Sequence, residues 1–469
     1  MRRASARIRS GLLLFVLPAL GAAPVLAADG LDDPGGYAYY FFDLNAAATD
    51  LAYGCAVQAD GKILLAGSAT TDVEGGHKIA VARLLADGNP DPAFDGGDVV
   101  ITLAGQVTGN NGQARTVAVD GQGRVLVGGT LHGTDFWTTD IGFVTRLLAN
   151  GTKDETWDNG YFPGWFMDGG MTGVEAMGFD PTGRLWTTGP AQPGDTGQWR
   201  FQLISNGGND AGYGSINLAP HVANLLTTSP TAIAFQPDGK VLIGGWALRG
   251  APANIAVMVV VRILGSTLQL DPAFGLGSGV VVIEDFQSSY LRSIALAPDL
   301  EIVIAGEYGP LNSEDISVIG LRPDGTTHWG DYVAFDLGGS NGDGFGGLNR
   351  MVVQSDGKIV VAAAAYTGNA SNVVDVGVAR LLPRMVGYDT SFGGNNTGKR
   401  SFDMPPIGVS DGNDTLKCLT LSGGKAVVAG SGHFNVQDWD FSLRRLTSDL
   451  IFADSFESGT TFFWSHAVP

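Results

Sequence analysis

The sequence predicts an all-β fold, a seven-bladed β-propeller of four-stranded antiparallel blades, with the ring closed by the N-terminal strand. Three observations support this prediction. A phrase typified by Asp238–Gly245 recurs seven times, at steps of 56 to 67 residues. Each copy holds four short extended runs separated by turn residues. No 3.6-residue amphipathic pattern persists after residue 27.

Each repeat is organised around one turn between its first two runs. The seven anchors of this turn are Gly61, Gly123, Gly183, Gly239, Leu300, Gly357 and Gly424. In the second copy the runs cover 115–119, 125–129 and 141–148, and the fourth lies near 161–166. The two inner runs are apolar on both faces, as strands that are covered on both sides must be. Four strands per repeat, seven times over, are typical of a propeller.

The two ends of the repeat region predict how the ring closes. A run at 39–44 resembles the fourth runs of other copies, whereas the last copy has no fourth run of its own. We therefore expect the N-terminal strand to complete the seventh blade and to remove a free sheet edge. We divide the chain into a signal peptide (1–27), a short extension (28–36), the propeller (37–450) and a C-terminal tail (451–469).

The N-terminus has the pattern of a secretory signal peptide. Four arginines precede an apolar core at Leu12–Leu17, and Val25–Ala27 precedes the expected cleavage. We expect a secreted, periplasmic or cell-surface protein without a transmembrane helix. Loss of those arginines would take the net charge from −19 to −23. This acidity argues against nucleic acid as a partner, and we expect a monomer.

Two residue types recur too regularly to be catalytic. An arginine ends the third run of five copies, at Arg83, Arg146, Arg262, Arg380 and Arg444. An aromatic residue follows in most copies, at Phe94, Trp157, Tyr213, Phe274, Trp329 and Phe392. We interpret the arginines as hydrogen-bond anchors within a blade and the aromatic residues as plugs between blades.

The two cysteines lie in the first and last copies. Cys55 and Cys418 each stand six residues before the anchor glycine, where other copies hold Val, Ile or Met. One interpretation is that both are free thiols filling an apolar core position. The other is a disulfide across the ring closure in an oxidising compartment.

The repeats resemble the delta-60 repeat of secreted bacterial proteins, a β-propeller family of largely unknown function. The resemblance rests on Gln236–Gly245, on Val81–Gly88 and on the Asp-x-x-Phe elements at Asp91–Phe94 and Asp271–Phe274. It covers about residues 37–450, with copies three, five and seven departing from the pattern. It implies the propeller fold and a secreted setting, and it supplies no catalytic residues.

Loop lengths indicate which face of the ring would bind a ligand. The first-to-second turns are uniform, whereas the second-to-third and fourth-to-first loops vary and share the opposite face. Candidate ligand-binding residues on this variable face are Trp137, Trp246, Tyr308, Tyr366, His77, His132 and His433. Exposed aromatic rings among acids and amides suit a glycan or a peptide.

Metal binding is a further alternative on the same face. His77, His132 and His433 belong to blades that are neighbours in a closed ring, although none stands at a short ligand spacing. Asp343, Asp411 and Asp414 lie in Asp/Asn/Gly loops that would suit calcium, although turn chemistry explains the composition equally well. We expect no other cofactor.

The sequence leaves two function classes open. The first is a binding or scaffold module for a glycan or a protein. The second is an extracellular polysaccharide lyase or hydrolase with acid, His and Arg side chains at the mouth of the central channel. An enzyme would place a titratable cluster where it breaks the ring's symmetry. We assign no catalytic residue. The tail at 451–469 is either a sorting segment or a terminal strand on the ring.

Overall fold

The computed structural model describes residues 32–447, except 41, 43–48, 71–75, 102–110, 134–138, 159–161, 196, 253, 285–287, 310–314, 334–349, 367–373, 395, 403, 405–414 and 436–437. Its regular elements in those ranges are β-strands and two short 3₁₀ turns. Within the same ranges, no helix is long and apolar enough to cross a membrane.

The strands form seven antiparallel sheets that follow one another along the chain, which confirms the seven-bladed propeller. After β1 (Asp32–Tyr40), blade 1 contains β2 (Asp50–Val57), β3 (Ile63–Thr70), β4 (His77–Leu84) and β5 (Asp98–Ile101). Blade 2 contains β6 (Gly112–Val119), β7 (Val125–Leu131), β8 (Ile141–Leu147) and β9 (Trp165–Asp168). Blade 3 contains β10 (Ala176–Phe179), β11 (Leu185–Pro190), β12 (Gln198–Ile204) and β13 (Asp210–Asn217).

Blade 4 has an extra two-residue strand beside its outermost one. It contains β14 (Leu225–Phe235), β15 (Lys240–Arg249), β16 (Ala256–Leu264), β17 (Gln269–Leu270) and β18 (Val280–Ile283). Blade 5 contains β19 (Ser289–Leu296), β20 (Ile302–Tyr308), β21 (Asp315–Leu321) and β22 (Thr327–Val333). Blade 6 contains β23 (Arg350–Val353), β24 (Ile359–Tyr366), β25 (Val374–Leu381) and β26 (Lys399–Phe402). Blade 7 contains β27 (Thr415–Ser422), β28 (Lys425–Asn435) and β29 (Asp438–Leu446).

The N-terminal strand completes blade 7, as expected, because β1 pairs antiparallel with β29. The strand β1 begins at Asp32, however, which lies inside the segment 28–36 that the sequence predicts as a short extension. The start of β1 is polar and rich in glycine. Its pairing with β29 accommodates this segment by an irregularity in register between Asp32 and Tyr37. Phe42 then packs edge-on against Phe441 of β29, with 5.0 Å between ring centroids.

The hydrophobic core lies between the blades. In β3 the side chains alternate, so that Leu64 and Ala66 pack towards blade 2 while Ile63 and Leu65 pack towards blade 7. The second and third strands of a blade are therefore buried on both faces, which explains their continuous apolar runs. The anchor glycines adopt positive φ, 83° at Gly61, and Leu300 takes the same left-handed conformation in blade 5.

The innermost strand of most blades carries a bulge at one equivalent position. In β2 the bulge lies between Ala52 and Gly54, and equivalent bulges occur in β6, β14, β19 and β27. Next to it, the inner strand approaches the second strand so closely that a Cβ on Gly67 would stand 1.8 Å from the Leu51 carbonyl oxygen. Gly67 is the final glycine of the repeated phrase, so this contact explains why that glycine recurs.

The recurring arginines lie on the face formed by the first-to-second and third-to-fourth turns, which we call the turn face. Arg262 Nε donates to Asp271 at 2.8 Å, and its guanidinium stacks 4.6 Å from the centroid of Phe274. The same guanidinium also donates to the Pro323 carbonyl of the next blade. Arg83, Arg146 and Arg380 repeat the carboxylate and aromatic contacts. These anchors therefore join blades, and are not confined to one blade as expected.

Three blades differ from the pattern of arginine anchors and aromatic plugs that the sequence predicts. In blade 7 the third-strand position opposite the second strand belongs to Arg445, which donates to the Ala86 carbonyl, rather than to Arg444. In blade 3 the arginine position holds Leu203, while the neighbouring Gln202 donates to Asp210; Tyr213 is 63% exposed and plugs nothing. In blade 5 the position is Gly320, over which Trp329 packs. In blade 7 the spacing along the chain does not show which of the two adjacent arginines takes the anchor position, because that depends on the pairing of β28 with β29.

The structure joins Cys55 and Cys418 in a disulfide, with 2.00 Å between the sulfur atoms. The two cysteines are offset by one strand position, contrary to the equal spacing from the anchors. Cys55 pairs with Leu65, whereas Cys418 pairs with Ala429, the counterpart of Ala66. Because neighbouring strand positions face opposite sides, the offset turns Cys55 towards blade 7 and Cys418 towards blade 1. At truly equal positions, both thiols would point the same way around the ring.

Candidate functional site

The bulge position of the innermost strands holds five types of side chain across the six blades that the structure describes there. These strands pack one beside the next around the ring, so they line the central channel. The residues are Tyr53, Arg115, Glu175, Thr231, Arg292 and Lys417, from blades 1, 2, 3, 4, 5 and 7. We call this set the channel ring. The turn-face anchors repeat the same arginine contacts in four blades, whereas in the channel ring only arginine occurs twice.

Two of the arginines in the channel ring are paired with carboxylates. Arg115 contacts Glu175 of the next blade, with 3.2 Å between Nη1 and Oε2. Arg292 holds Glu307 in a bidentate pair, with N–O distances of 3.0 and 3.1 Å. Such forked pairs fix the arginine in direction as well as in charge. Both guanidinium groups are therefore held in place at the channel wall.

Arg350 adds a further guanidinium one strand position beyond the ring. Its Nε donates to the Lys417 carbonyl at 2.8 Å, and its Nη1 donates to the Arg292 carbonyl at 3.1 Å. It thus spans from blade 5 to blade 7 across the inner strand of blade 6. Burial, followed by the charge of Arg292, lowers the pKa of Arg350 to about 10. The residue as a whole is half-buried, although protein surrounds its charged group.

Lys417 lies among these arginines and next to a tyrosine. Its ammonium stands 5.7 Å from the centroid of the Tyr53 ring. Burial lowers the pKa of Lys417, and Arg350, Arg115 and Arg292 lower it further. Among the residues that the structure describes, no carboxylate lies within ion-pair distance of this ammonium. Lys417 therefore carries a positive charge that its described neighbours do not neutralise.

Tyr53 places an aromatic ring and a hydroxyl group beside this lysine. The Tyr53 hydroxyl accepts a hydrogen bond of 2.6 Å from Gln113 Nε2. Burial raises the pKa of Tyr53, which keeps the phenol protonated, although the charge of Arg115 opposes this effect. The channel ring and the neighbouring Gln113 together therefore offer cations, an amide and a phenol.

An aromatic pair extends from the channel ring towards blade 4. Tyr290, two residues before Arg292, lies under its guanidinium, with 5.4 Å from Cζ to the ring centroid. Trp246 meets the edge of Tyr290, with 5.3 Å between ring centroids. Trp246 is thus one of the sequence-predicted candidates, and the structure connects it to the channel ring through Tyr290.

The other predicted candidates do not converge with Trp246 in the described residues. Asn111 connects His77 and His132, because its side-chain oxygen accepts from the His77 backbone N–H and its carbonyl accepts from that of His132. The His132 ring instead contacts Asp140 at 3.1 Å. Tyr308 ends β20 opposite Asp315. No group of three metal-ligating residues occurs among the described residues.

Several candidates fall where their side chains are not described. Trp137, Asp343, Asp411 and Asp414 lie outside the described residues. For His433 and Tyr366 only the backbone is described, in β28 and β24. The three-histidine and calcium sites therefore stay predictions.

A cleft of about 360 Å³ opens on the turn face between blades 5 and 6. Its polar groups satisfy one another: the Trp329 indole donates to Glu301 at 2.8 Å, and Arg384 contacts both Asp299 and Glu301, at 2.9 and 3.3 Å. Glu301 replaces the usual basic residue after the anchor, and Trp329 fills the space left by Gly320. The cleft therefore reflects a locally rebuilt blade interface.

Sequence reasoning missed the channel ring because it searched for residues that recur. The available signal was the reverse. Eight residues before the anchor, where other core positions stay apolar, the first five copies hold Tyr, Arg, Glu, Thr and Arg. The mark of this site was a structurally equivalent position whose residue type changes from each of these copies to the next.

Comparisons with known proteins agree with this fold. A family model described as "Domain of unknown function (DUF5122) beta-propeller" matches residues 58–94, 236–274 and 354–383. The chain therefore contains three segments that are similar to the DUF5122 β-propeller domain. The matched segments lie in blades 1, 4 and 6, where the repeat is most regular. A comparison with curated protein sequences finds no significant match.

Solved structures share the architecture at low sequence identity. The polysaccharide lyase Uly1 superposes with a TM-score of 0.51 and 11% identity, over 90% of this chain and 97% of that chain. A protein of unknown function from Dyadobacter fermentans DSM 18053 gives 0.46 and 11%, over 88% and 98%. The β-propeller domain of the Trilobed protease from Pyrococcus furiosus gives 0.42 and 8%, over 86% and 99%. At such identities the likeness concerns the fold alone.

Proposed function

We propose that the protein is a secreted or surface-associated binding module of the delta-60 type, which holds a glycan or protein ligand at its central channel, entered from the variable loop face. The single observation that carries this proposal is the channel ring. Its members occupy one backbone position in six of the blades, yet these blades hold five types of polar or charged side chain there. A scaffold needs equivalent residues at such a position, so the divergence indicates selection by a ligand.

The location outside the cytoplasm is part of the same proposal. The signal-like N-terminus supports it, and so does the Cys55–Cys418 disulfide, because disulfides persist in oxidising compartments. The rigid ring also supports a binding role, since scaffolds of this kind hold variable loops in fixed positions.

The proposal is tested by a thermal-shift and calorimetry screen of the purified protein against glycans and extracellular proteins. A ligand at a hundredfold excess over its Kd adds roughly 2.7 kcal/mol of stability. Lys417→Met should abolish that gain. Lys240→Met is the matched control, because it removes the same charge from the turn face. A ligand whose binding both variants leave intact would place recognition elsewhere, and the absence of any binder would contradict the proposal.

A second candidate is an enzyme that cleaves polysaccharides, and the pairing of Lys417 with Tyr53 favours it. Burial and three arginines lower the pKa of Lys417, so this lysine gives up its proton more readily than an ordinary one. Tyr53 stays protonated and adjacent, as a proton donor must. Incubation with acidic and neutral polysaccharides, followed by assays for new reducing ends and unsaturated sugars, tests this candidate. Turnover that Tyr53→Phe and Lys417→Met both abolish would support it.

A further inference from the structure

We propose that Arg115, Arg292, Arg350 and Lys417 form an anion site that binds the carboxylate groups of an acidic glycan. This inference rests on the proposed binding function and narrows its ligand to one chemical class. The first step is the local balance of charge. Arg115, Arg292 and Arg350 all act on the charge of Lys417, and the carboxylates that pair within this cluster, among the described residues, are Glu175 and Glu307.

The pairing within this cluster leaves two positive charges over. Glu175 neutralises Arg115, and Glu307 neutralises Arg292. The described contacts of Arg350 are with backbone carbonyls, which carry no net charge. Lys417 faces an aromatic ring. A confined excess of positive charge is costly unless an anion compensates for it. An anionic ligand supplies that compensation.

The cluster also has hydrogen-bond donors to offer. The buried Nε of Arg115 has no hydrogen-bond partner among the residues that the structure describes, and the Lys417 ammonium presents donors that no described carboxylate accepts. Carboxylate oxygens are suited to both, since a guanidinium fork and an ammonium form short charge-assisted bonds with them. The donors lie at the level of the bulges, where the backbone holds them in fixed positions.

The contrast with the rest of the molecule strengthens this assignment. The chain carries a net charge of −19, so a cationic cluster is exceptional in it. Surface carboxylates act through water and salt, which screen them over about 8 Å at physiological ionic strength. Charges that face each other within a narrow channel are screened much less. A carboxylate that enters the channel therefore meets the local cations before the distant acids.

The neighbouring groups favour a sugar chain as the carrier of the carboxylate. Tyr53 and Gln113 provide a ring and an amide on one side of the cluster. Tyr290 and Trp246 provide two rings on the side of Arg292. Aromatic faces stack on pyranose rings, while amides and hydroxyl groups bond their hydroxyls. A polyuronate would place carboxylates on the cations and sugar rings on the aromatic groups.

The test compares oligogalacturonate with its methyl ester, which has the same sugars without the charge. Binding is measured by calorimetry for the wild type, Lys417→Met, Arg115→Gln and the control Lys240→Met, after melting curves confirm that each variant folds. We expect the acid to bind the wild type and Lys240→Met with similar Kd values. The ester should bind the wild type at least tenfold more weakly, as should the acid when tested with Lys417→Met or Arg115→Gln, a change of about 1.4 kcal/mol.

Each other outcome overturns the inference in a recognisable way. Equal binding of acid and ester would remove the anion site while leaving a glycan-binding function in place. Failure of oligogalacturonate would also remove the anion site. Binding of a neutral glycan or a protein from the screen would then leave the proposed binding function in place. Failure of every ligand in the screen would remove the proposed function and the inference together.

Discussion

The turn face and the channel ring show two opposite uses of one repeat. On the turn face, four blades bury the same trio of arginine, aspartate and aromatic ring, as in Arg262, Asp271 and Phe274. In the channel, six equivalent backbone positions hold five types of residue, and only arginine occurs twice. A residue that every blade needs serves the ring. A residue type that changes between blades is not required for the packing of the ring and is therefore available to bind a ligand.

The largest effect should follow from breaking one turn-face anchor. Arg262 and Asp271 are each at most 4% exposed, so Arg262→Met leaves a buried carboxylate without its partner. We expect a loss of about 3–5 kcal/mol in the free energy of unfolding, measured with urea. Arg322→Met, at an exposed arginine of the next blade, should change it by less than about 0.5 kcal/mol. Equal losses in both variants would contradict the structural role of the anchor.

The second largest effect concerns the closure between blades 1 and 7. The disulfide closes a loop with a sequence separation of 363 residues, and such cross-links stabilise mainly by restricting the unfolded chain. We expect Cys55→Ser with Cys418→Ser to lose about 2–5 kcal/mol of stability. Denaturation with and without a thiol reductant checks this, because the reductant should destabilise the wild type and leave the double variant unchanged. A wild type indifferent to reductant would contradict it.

A smaller effect should appear on acidification. Burial alone would raise the pKa of Asp180, yet hydrogen bonds from Thr182, Trp186 and Arg184 lower it to about 2. This carboxylate therefore stabilises the fold fully above pH 3.8, its ordinary pKa, and loses that contribution as the pH falls towards 2. We expect it to contribute roughly 2 kcal/mol. Urea unfolding between pH 5 and 2 should show a flatter profile for Asp180→Asn, and parallel profiles would count against this assignment.

The sequence predicted the ring because its repeat encodes local rules. The turn glycines such as Gly61, the buried strands and the missing fourth run of the last copy each determine structure nearby. It did not predict the exact register. A one-residue shorter turn between the first two strands of blade 7 turned Cys418 towards Cys55, and the pairing of β28 with β29 placed Arg445 rather than Arg444 at the anchor position. Such shifts depend on pairing between strands, which spacing along the chain does not reveal.

The candidate site was harder to predict for a different reason. Its residues come from successive blades and are distant in sequence, as Arg115 and Lys417 are, so only closure of the ring brings them together. Trp246 was found because an aromatic residue on a loop-face strand is conspicuous by itself. Arg350 was missed because the sequence suggests that an arginine within a strand extends into solvent. Only the structure shows that its side chain donates to two backbone carbonyls.

The most direct test of the division between turn face and channel is a paired measurement on Lys417→Met. The variant removes a charge that burial and three arginines disfavour, so its melting temperature should equal or exceed that of the wild type. Its affinity for oligogalacturonate should fall at least roughly tenfold. A melting temperature that falls as it does for Arg262→Met, or an unchanged affinity, would show that Lys417 serves the ring and would contradict the division.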